Sequence, residues 1–328
     1  MTKTPDRTAL ITGINGQDGS YLAEILIAQG YRVVGTTRSV DGVARVLLTG
    51  QEVPVVQLDL ADARGIQQVL ERFCPDEIYN LAARSSSSQL FDDPIATLEI
   101  NGNTVVRFLE AIRQVCPATR FCQASSSEVF AKVRQSPQDE TTPLRPRNAY
   151  GAAKVYAQNM VEAYRDRYGL FACSAILFNH ESPRRGLDYV TRKVTSSVAR
   201  IAAGFADSLT LSSLDSRRDW GFAGDYARAM SLMLRQTAPD DYVIATGITH
   251  SVRELCELAF AKAGLDYRNY VVIDNRLARG GETVELRGNS SKAMTQLDWR
   301  PSISFVELIG MMVDADRAAL AQEIQEMQ

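Results

Sequence analysis

The chain has 328 residues, of which 45% are hydrophobic and 23% are charged, a balance typical of a soluble globular protein. The formal net charge of −3 gives no electrostatic reason to expect a nucleic-acid or membrane partner, and no apolar run reaches the roughly 18 residues that a membrane-spanning helix needs. The five cysteines form no CxxC pair, which disfavours a disulfide framework or a zinc site and favours the cytoplasm. Only two histidines are present, which disfavours a His-based metal site and a Ser-His-Asp triad.

Strand and helix patterns alternate through the first half of the chain. Short apolar strands are predicted at 8–14, 32–38, 53–60, 77–83, 120–126 and 172–179. Helices are predicted between them at 19–30, 63–73 and 103–115, and again from Ala149 onward, where Asn148 can cap the helix. This alternation predicts a parallel sheet with helices on both faces, which is the Rossmann-like doubly wound α/β fold.

The pattern changes after about residue 180. Helices are predicted at 184–205, 251–264 and 305–325, and strands at 209–213 and 242–247. We therefore expect two interleaved lobes. The first is a Rossmann domain over residues 1–178, to which a later segment at about 215–250 returns. The second is a smaller α/β substrate-binding lobe over residues 179–328.

A glycine-rich turn joins the first predicted strand to the first predicted helix. The sequence TGINGQDG has a GxxGxxG spacing, and a turn between a strand and a helix is the context that a phosphate-binding loop requires. Glycine lets the backbone approach a pyrophosphate, which then lies at the helix N-terminus. We therefore predict that a dinucleotide is bound by Gly13, Asn15, Gly16, Gln17, Asp18 and Gly19.

Residues at the ends of the following strands indicate which dinucleotide is bound. Arg38 stands where an acidic residue would bind the ribose 2′-hydroxyl of NAD, and a guanidinium suits the 2′-phosphate of NADP. We therefore predict NADP, with a solvated surface arginine as the alternative. Further contacts are predicted near the adenine and at the strand end NLAA, from Asp59, Leu60, Leu81, Ala82 and Ala83.

A tyrosine and a lysine lie four residues apart in the helix that follows Asn148. Tyr150 and Lys154 share one helix face, so their side chains are expected to project together. A neighbouring cation favours the phenolate and is expected to lower the pKa of the tyrosine from about 10. Beside a nicotinamide cofactor such a pair suits acid–base chemistry, and an ordinary surface pair is the alternative. A hydroxyl is available upstream, at the strand end that holds Ser126.

The YxxxK pair resembles that of the short-chain dehydrogenase/reductase superfamily. Seven segments, in the same order, also resemble those of the GDP-mannose 4,6-dehydratase family: ALITGINGQDGSYLAEILIAQGYRVVG, FCQASSSEVF, YGAAK, ILFNHESPRRG, VTRKV, RRDWGFAGDY and VIATG. The resemblance covers most of the chain and is most specific in GQDGSYL, NHESPRRG and RDWG. It implies a hydro-lyase with bound NADP that converts GDP-mannose to GDP-4-keto-6-deoxymannose.

The resemblance assigns roles to four catalytic residues. Tyr150 takes the proton of the sugar 4-hydroxyl, Lys154 orients the nicotinamide ribose and tunes Tyr150, and Ser126 hydrogen-bonds O4. Glu128 removes the C5 proton and then protonates the departing C6 hydroxyl, which is the additional acid–base work of a dehydratase. A solvated acid at a strand end is the alternative for Glu128.

The resemblance also implies a nucleotide-sugar site that extends into the second lobe. His180 is expected to flank the nicotinamide, and Arg185 is expected to contact the cofactor near the diphosphate. The substrate contacts that it implies include arginines and a lysine suited to phosphate, and they are Ser85, Ser86, Asn179, Glu181, Lys193, Arg218, Arg279 and Glu282.

Several positions depart from the family pattern, mostly around the sugar. Ser126 stands where threonine is usual, and Cys122 stands where an aromatic residue is usual. The segments RSSSSQ (84–89) and RGGET (279–283) also differ from those of the family. The hexose, the base and the reaction therefore stay open on the sequence.

Two further alternatives follow from the same departures. The loop after Arg38 is shorter than the one that helps to build a tetramer in the family, so both a homodimer and a homotetramer are considered. The chain can be another nucleotide-sugar enzyme, such as a 4-reductase or an epimerase, although these need no acid at position 128. It can also be an NADP-sensing protein without catalysis, against which the retained Ser126, Tyr150 and Lys154 argue.

Overall fold

The structure is a computed structural model that describes residues 7–38, 45–48, 51–85, 93–274, 276 and 285–326. Its strands, in chain order, are β1 (Thr8–Thr12), β2 (Arg32–Thr37), β3 (Arg45–Leu48), β4 (Gln51–Gln57), β5 (Glu77–Asn80), β6 (Arg120–Ala124), β7 (Ala172–Leu177), β8 (Asn179–Glu181), β9 (Leu209–Leu211), β10 (Arg217–Phe222), β11 (Tyr242–Ile244), β12 (Thr249–Ser251) and β13 (Val271–Ile273).

The helices surround these strands. In chain order they are α1 (Gln17–Ala28), α2 (Ala63–Phe73), α3 (Pro94–Leu98), α4 (Thr104–Val115), α5 (Ala149–Tyr168), α6 (Val190–Ala202), α7 (Ala223–Met233), α8 (Val252–Lys262), α9 (Ser291–Gln296) and α10 (Phe305–Glu326). A π-helical turn (Glu99–Asn103) joins α3 to α4, and 3₁₀ turns occur at Ser127–Phe130 and Tyr267–Asn269.

The main sheet confirms the predicted Rossmann-like fold. Seven strands are parallel in the order β11-β7-β6-β5-β1-β2-β4, and β3 pairs with β4 in the antiparallel direction at the edge. All residues of β5 and β7 are buried, as parallel strands covered by helices on both faces must be. One apolar cluster packs α1 and α7 on one face, and a second packs α2, α4 and α5 on the other.

The strand order reverses between β1 and β5. The chain runs from β1 to β2 on one side and returns to β5 on the other, so these two neighbouring strands form the switch point of the sheet. Ligands of open α/β sheets bind outside the carboxyl ends of the strands at such a point. The fold therefore places the predicted glycine loop, which follows β1, at the position where a ligand is expected.

A smaller assembly of strands and helices follows the main sheet. It contains a three-stranded sheet in the order β12-β10-β8 and a parallel pair of β13 with β9. These pack with α6, α8 and α10 around an apolar cluster that includes Trp220, Phe260 and Met312. A serine capping box begins α8, in which Ser251 and Glu254 each accept an N–H of the other residue's backbone.

Two sequence predictions for this part of the chain need correction. The helix expected at 184–205 begins only at Val190, because a turn precedes it in which the Arg185 N–H donates to the Ser182 carbonyl oxygen at 3.0 Å. The segment that forms β10 and α7 was not predicted as a strand and a helix. Nearly all of α7 is buried, so it lacks the polar stripe by which a surface helix is recognised.

Candidate active site

A crevice lies between the carboxyl ends of β1 and β5. The Thr12 hydroxyl accepts the N–H groups of Leu81 and Ala82, each at 3.0 Å, and donates to Asn80 Oδ1 at 2.8 Å. Gly13 follows with a φ of +69°, and a Cβ atom at this position would lie 3.0 Å from the Ala82 Cα atom. Glycine at position 13 therefore allows both the left-handed turn and the close approach of the two strand ends.

The same loop leads directly into α1. The Gly16 N–H donates to the Gly13 carbonyl oxygen at 2.9 Å, and a Cβ atom at Gly19 would lie only 2.4 Å from that oxygen. Gly16 is the N-cap of α1, and among the described residues no side chain caps it. The first N–H groups of the helix are therefore left to an anion, and the residues present fit the pyrophosphate of a dinucleotide.

Asp18 and Gln17 connect this loop to β8. Asp18 Oδ1 lies 3.0 Å from His180 Nε2, and the Gln17 side-chain amide donates to the His180 carbonyl oxygen at 3.1 Å. Burial alone would lower the pKa of His180, but the Asp18 carboxylate outweighs it and the pKa is raised. Burial alone would raise the pKa of Asp18, but His180 and then Arg185 bring it below its ordinary value. The contact between Asp18 and His180 therefore joins the glycine loop to β8.

The other predicted cofactor residues follow strands next to β1. Arg38 is exposed directly after β2. Asp59 is exposed after β4, whereas Leu60 is buried and its carbonyl oxygen accepts the Thr104 hydroxyl at 3.0 Å. Because β2 pairs with both β1 and β4, these residues lie at the same edge of the sheet as the glycine loop.

Tyr150 and Lys154 lie in the first turns of α5, as the sequence predicts. Both side chains are buried, and Lys154 Nζ lies 5.6 Å from the centre of the Tyr150 ring. The same ammonium donates to the Ala124 carbonyl oxygen at 2.7 Å, at the carboxyl end of β6. Burial lowers the pKa of Lys154 to about 8. The ammonium therefore links the helix to the strand that precedes Ser126.

The prediction that Lys154 lowers the pKa of Tyr150 is wrong. Burial raises the pKa of the phenol, and a hydrogen bond with Ser126 opposes this increase without compensating for it. The charges of Tyr189 and Glu128 raise the pKa further, and Arg185 lowers it. The reason lies in the packing, because burial removes water from the phenol and so disfavours its charged form.

Glu128 lies in the 3₁₀ turn that follows Ser126. Asn148 Nδ2 donates to Glu128 Oε2 at 2.9 Å, and Arg147 Nη2 lies 3.4 Å from Oε1. The Glu128 N–H donates to Ser126 Oγ at 3.3 Å. A Cβ atom at Gly151 would lie 2.8 Å from the Glu128 carbonyl oxygen, so the turn and α5 are in direct contact. The structure therefore brings together the four predicted catalytic residues, Ser126, Glu128, Tyr150 and Lys154.

A second group of polar side chains comes from the chain between β8 and α6. Arg185 Nε lies 3.2 Å from Glu181 Oε2, and both side chains are largely buried. The Arg185 guanidinium carbon lies 3.5 Å from the centre of the Tyr189 ring. The Tyr189 hydroxyl in turn donates to the Ser85 carbonyl oxygen at 2.8 Å, on the loop after β5. This group therefore joins the Rossmann sheet to the start of α6.

Comparison with known proteins agrees with this arrangement. A sequence-family model described as GDP-mannose 4,6 dehydratase matches residues 10–312. The chain belongs to the GDP-mannose 4,6-dehydratase family. It is 43% identical over 326 residues to GDP-mannose 4,6 dehydratase 2 of Arabidopsis thaliana, covering 95% of this chain and 87% of the relative.

A bacterial relative and a solved structure extend the comparison. The chain is 40% identical over 356 residues to GDP-mannose 4,6-dehydratase of Vibrio cholerae, with 94% of each protein covered. The crystal structure of UDP-glucose 4-epimerase from Thermus thermophilus, a complex with NAD, matches with a TM-score of 0.81 and 27% identity, over 95% of this chain and 99% of that one. Family and fold therefore agree with the resemblance seen in the sequence.

The remaining residues implied by the family lie in different places. Asn179 begins β8, and Arg218 lies on the paired strand β10, where its guanidinium donates to the Arg217 carbonyl oxygen at 2.7 Å. Lys193 is exposed on α6 and donates to the Thr210 carbonyl oxygen at 2.7 Å. Three predicted substrate residues lie outside the described ranges, namely Ser86, Arg279 and Glu282.

Two site residues were missed by sequence reasoning. Asn148 was predicted only as a helix cap, because nothing in the sequence shows that its amide nitrogen faces Glu128. Tyr189 was placed inside a predicted helix, and its contacts with Arg185 and Ser85 depend on the turn before α6. The only available signal was the position of both residues within or next to the segments that carry the family resemblance.

The described part of the chain contains neither a candidate metal site nor a candidate membrane-spanning helix. Over those ranges, no group of three or more His, Cys, Asp or Glu side chains is arranged to hold a metal ion. The helices described there also include none with the length and apolar character needed to span a membrane.

Proposed function

We propose that this protein is a GDP-mannose 4,6-dehydratase, which converts GDP-mannose to GDP-4-keto-6-deoxymannose with loss of water. The observation that carries the proposal is the position of Glu128 against the start of α5, next to the turn that bears Tyr150. Oxidation at C4 requires only three protein groups, which are the Ser126 hydroxyl, the Tyr150 phenol and the Lys154 ammonium. A carboxylate beside them supplies the second acid–base group that removal of water requires.

Tyr150, Ser126 and Lys154 act on the first half of the reaction. The nicotinamide cofactor of this family, held by the glycine loop, supplies the hydride acceptor and donor. Tyr150 takes the proton of the 4-hydroxyl, and Ser126 hydrogen-bonds O4. Burial raises the pKa of the Tyr150 phenol, so the described groups that favour its phenolate, Ser126 and Arg185, assist this proton transfer.

Glu128 acts on the second half. The ketone formed at C4 acidifies the C5–H bond, and Glu128 takes that proton. The electrons of the C5–H bond form the C5–C6 double bond as the C6–O bond breaks, and the proton on Glu128 goes to the departing hydroxyl, which leaves as water. Reduction at C6 and return of a proton to C5 then give the 6-deoxy-4-keto sugar. Arg147 Nη2 lies 3.4 Å from one oxygen of this carboxylate, and Asn148 Nδ2 donates to the other at 2.9 Å.

The cofactor is proposed to be NADP. Arg38 is exposed just after β2, at the edge of the sheet that holds the glycine loop, and its guanidinium suits a 2′-phosphate. The solved UDP-glucose 4-epimerase from Thermus thermophilus is a complex with NAD, so the fold alone does not select NADP. Extraction of the cofactor from denatured protein separates the two, and recovery of NAD alone would contradict the proposal.

We also propose that the nucleotide is bound by the second lobe. Asn179, Lys193 and Arg218 lie on β8, α6 and β10, which supply amide and cationic groups for the diphosphate and its surroundings. Glu181 is proposed to lie next to the sugar, and its ion-pair partner Arg185 is proposed to contact the cofactor near the diphosphate. The division into a domain over 1–178, with a returning segment near 215–250, and a lobe over 179–328 follows this difference in role.

The assembly is proposed to be at least a homodimer in the cytoplasm. The outer faces of α4 and α5 leave Tyr156 and Tyr168 partly exposed, and a concavity of about 350 Å³ between α2, α4 and α5 is lined by Gln67, Arg107 and Tyr156. A second copy would cover these aromatic side chains in a four-helix arrangement. The five cysteines are free thiols, which suits a reducing compartment. Light scattering showing only monomer at micromolar protein would contradict the dimer.

The test of the activity uses a panel of nucleotide hexoses and follows the loss of one water by mass spectrometry. We expect the wild type to remove water from GDP-mannose. The rate of this reaction should be roughly 10²–10⁴-fold lower in the Glu128→Gln variant, because an amide cannot accept the C5 proton. That variant should still oxidise C4, which shows as absorbance near 340 nm. Turnover of a nucleotide hexose by Glu128→Gln at the wild-type rate, without loss of water, would favour a 4-reductase or an epimerase.

A further inference from the structure

The side chain of Asn148 makes two contacts with different purposes. Its Oδ1 atom accepts the Gly151 N–H at 2.7 Å, which is the N-cap of α5. Its Nδ2 group donates to Glu128 Oε2 at 2.9 Å. The cap requires only an oxygen acceptor, so Ser or Asp would serve equally well at this position. The amide nitrogen is the feature that a cap does not require.

The backbone around Asn148 places the two catalytic acid–base groups at a fixed separation. Tyr150 is two residues after Asn148, in the first turn of α5. Gly151 packs against the Glu128 main chain so closely that a Cβ atom would lie 2.8 Å from its carbonyl oxygen. The main chain of Glu128 thus rests on the first turn of the helix, and Asn148 ties its carboxylate to the same turn.

We propose that Asn148 is a positioning residue that orients the Glu128 carboxylate for proton transfer at C5 of the sugar. The inference rests on the proposed dehydratase activity and adds to it a residue with no assigned role in the chemistry. Asn148 touches no reacting atom in this proposal. It acts through Glu128, because its hydrogen bond to Oε2 holds the Glu128 side chain in one rotamer. In that rotamer Oε1 lies 3.4 Å from Arg147 Nη2.

The strength of the contact sets the expected size of the effect. A hydrogen bond to an ionised carboxylate is stronger than one between neutral groups, and residues that hold a catalytic side chain in place affect the rate through its geometry. The Arg147 contact is longer and that side chain is more exposed, so it cannot replace the Asn148 amide. We therefore expect loss of the amide donor to slow proton transfer at C5 by roughly 10- to 100-fold.

The decisive variant is Asn148→Ser in the full-length protein with its bound cofactor. Serine keeps a capping oxygen for Gly151 but has no group that reaches Glu128 as an amide does. We expect kcat to fall roughly 10- to 100-fold while the melting temperature stays close to that of the wild type. Deuterium at C5 of GDP-mannose should then slow kcat more strongly than in the wild type, because proton transfer at C5 has become the slow step.

Two companion variants separate this role from capping. Asn148→Ala removes both contacts, so it should show the same loss of kcat together with a lower melting temperature. Ser251→Ala removes the cap of α8, which lies away from Glu128, and should lower the melting temperature with kcat unchanged. If Asn148→Ser keeps the wild-type kcat and the wild-type C5 isotope effect, Asn148 is only a cap and the inference is wrong.

The design also distinguishes this failure from failure of the proposed activity. Wild-type protein that does not dehydrate GDP-mannose would remove the activity itself, whatever Asn148 does. Wild-type protein that dehydrates it, together with an unaffected Asn148→Ser variant, would leave the dehydratase in place and overturn only the positioning role.

Discussion

The crevice between β1 and β5 is built from backbone, whereas the site around Glu128 is built from side chains. In the crevice, Gly13 and Gly19 lie so close to neighbouring main-chain atoms that no Cβ atom fits without a shift. Around Glu128, the side chains of Asn148 and Arg147 provide the contacts. The glycines of the first site come from one continuous stretch of sequence, whereas the second site needs Glu128 and Asn148, which are twenty positions apart.

This difference determines which amino-acid substitutions each site can tolerate. A backbone cradle binds what all dinucleotides share, the pyrophosphate, and tolerates little change in its glycines. A side-chain site can be altered residue by residue without disturbing the sheet. The departures from the family pattern that the sequence shows around the sugar are of this second kind, and they leave the glycine loop unchanged.

The largest expected effect separates chemistry from cofactor binding. Tyr150→Phe removes the phenol that takes the 4-hydroxyl proton, so turnover should fall roughly 10²–10⁴-fold while the dinucleotide still binds. Single-turnover kinetics and a direct binding titration measure the two quantities. Tyr164→Phe, in the same helix with its hydroxyl donating to Glu110, is the matched control and should keep turnover. Loss of binding in Tyr150→Phe would place the phenol in the cradle instead.

A substitution in the crevice should lower turnover and dinucleotide affinity together. Gly19→Ala places a Cβ atom 2.4 Å from the Gly13 carbonyl oxygen, and neither backbone segment can move without disturbing the loop. We expect dinucleotide affinity to fall roughly 100-fold, and turnover with it. The control is Gly310→Ala in α10, where a Cβ atom meets nothing within 4 Å and affinity should not change. Wild-type affinity in Gly19→Ala would show that the loop adapts.

The buried ammonium predicts a dependence of stability on pH. The pKa of Lys154 is lowered by burial to about 8 from an ordinary value of 10.5, so between these values the unfolded chain holds a proton that the folded chain does not. The free energy of unfolding of the wild type should therefore rise with pH in this window, relative to Lys154→Met. The full gain is about 3 kcal/mol, and below pH 8 no further change is expected.

Chemical denaturation of both proteins at several pH values measures this difference. The unfolding free energy of Lys154→Met minus that of the wild type should be largest below pH 8, where the wild-type ammonium is charged and buried. This difference should shrink as the pH rises to 10.5. A difference in unfolding free energy that does not vary with pH would contradict the lowered pKa of Lys154.

The smallest effect concerns the link between the two lobes. Tyr189→Phe removes the hydrogen bond to the Ser85 carbonyl oxygen but keeps the ring beneath the Arg185 guanidinium. We expect KM for the nucleotide hexose to rise about fivefold with kcat little changed, because one neutral hydrogen bond contributes about 1 kcal/mol. Steady-state kinetics measure both constants. A large fall in kcat would instead show that the Tyr189 phenol takes part in the chemistry at Tyr150.

Much of the fold could be predicted because its signals are local. Apolar runs bounded by turn residues mark β1, β5, β6 and β7, and the glycine loop stands in its expected place between β1 and α1. The segment of β10 and α7 was missed because a helix buried on nearly all sides shows no amphipathic period. The start of α6 was placed too early because a turn precedes it, closed by a hydrogen bond from the Arg185 N–H to the Ser182 carbonyl oxygen, that no helical pattern reveals.

The sequence by itself determined the doubly wound sheet, the glycine loop and the Tyr150–Lys154 pair, because each is carried by local pattern and spacing. It indicated the family through the resemblance of seven segments to known members. The tertiary structure alone decided the electrostatics of the site. It showed that burial raises the pKa of Tyr150 and that the Lys154 ammonium donates a hydrogen bond to the Ala124 carbonyl oxygen. Burial and contacts between distant segments arise only when the chain packs, so no local pattern could reveal them.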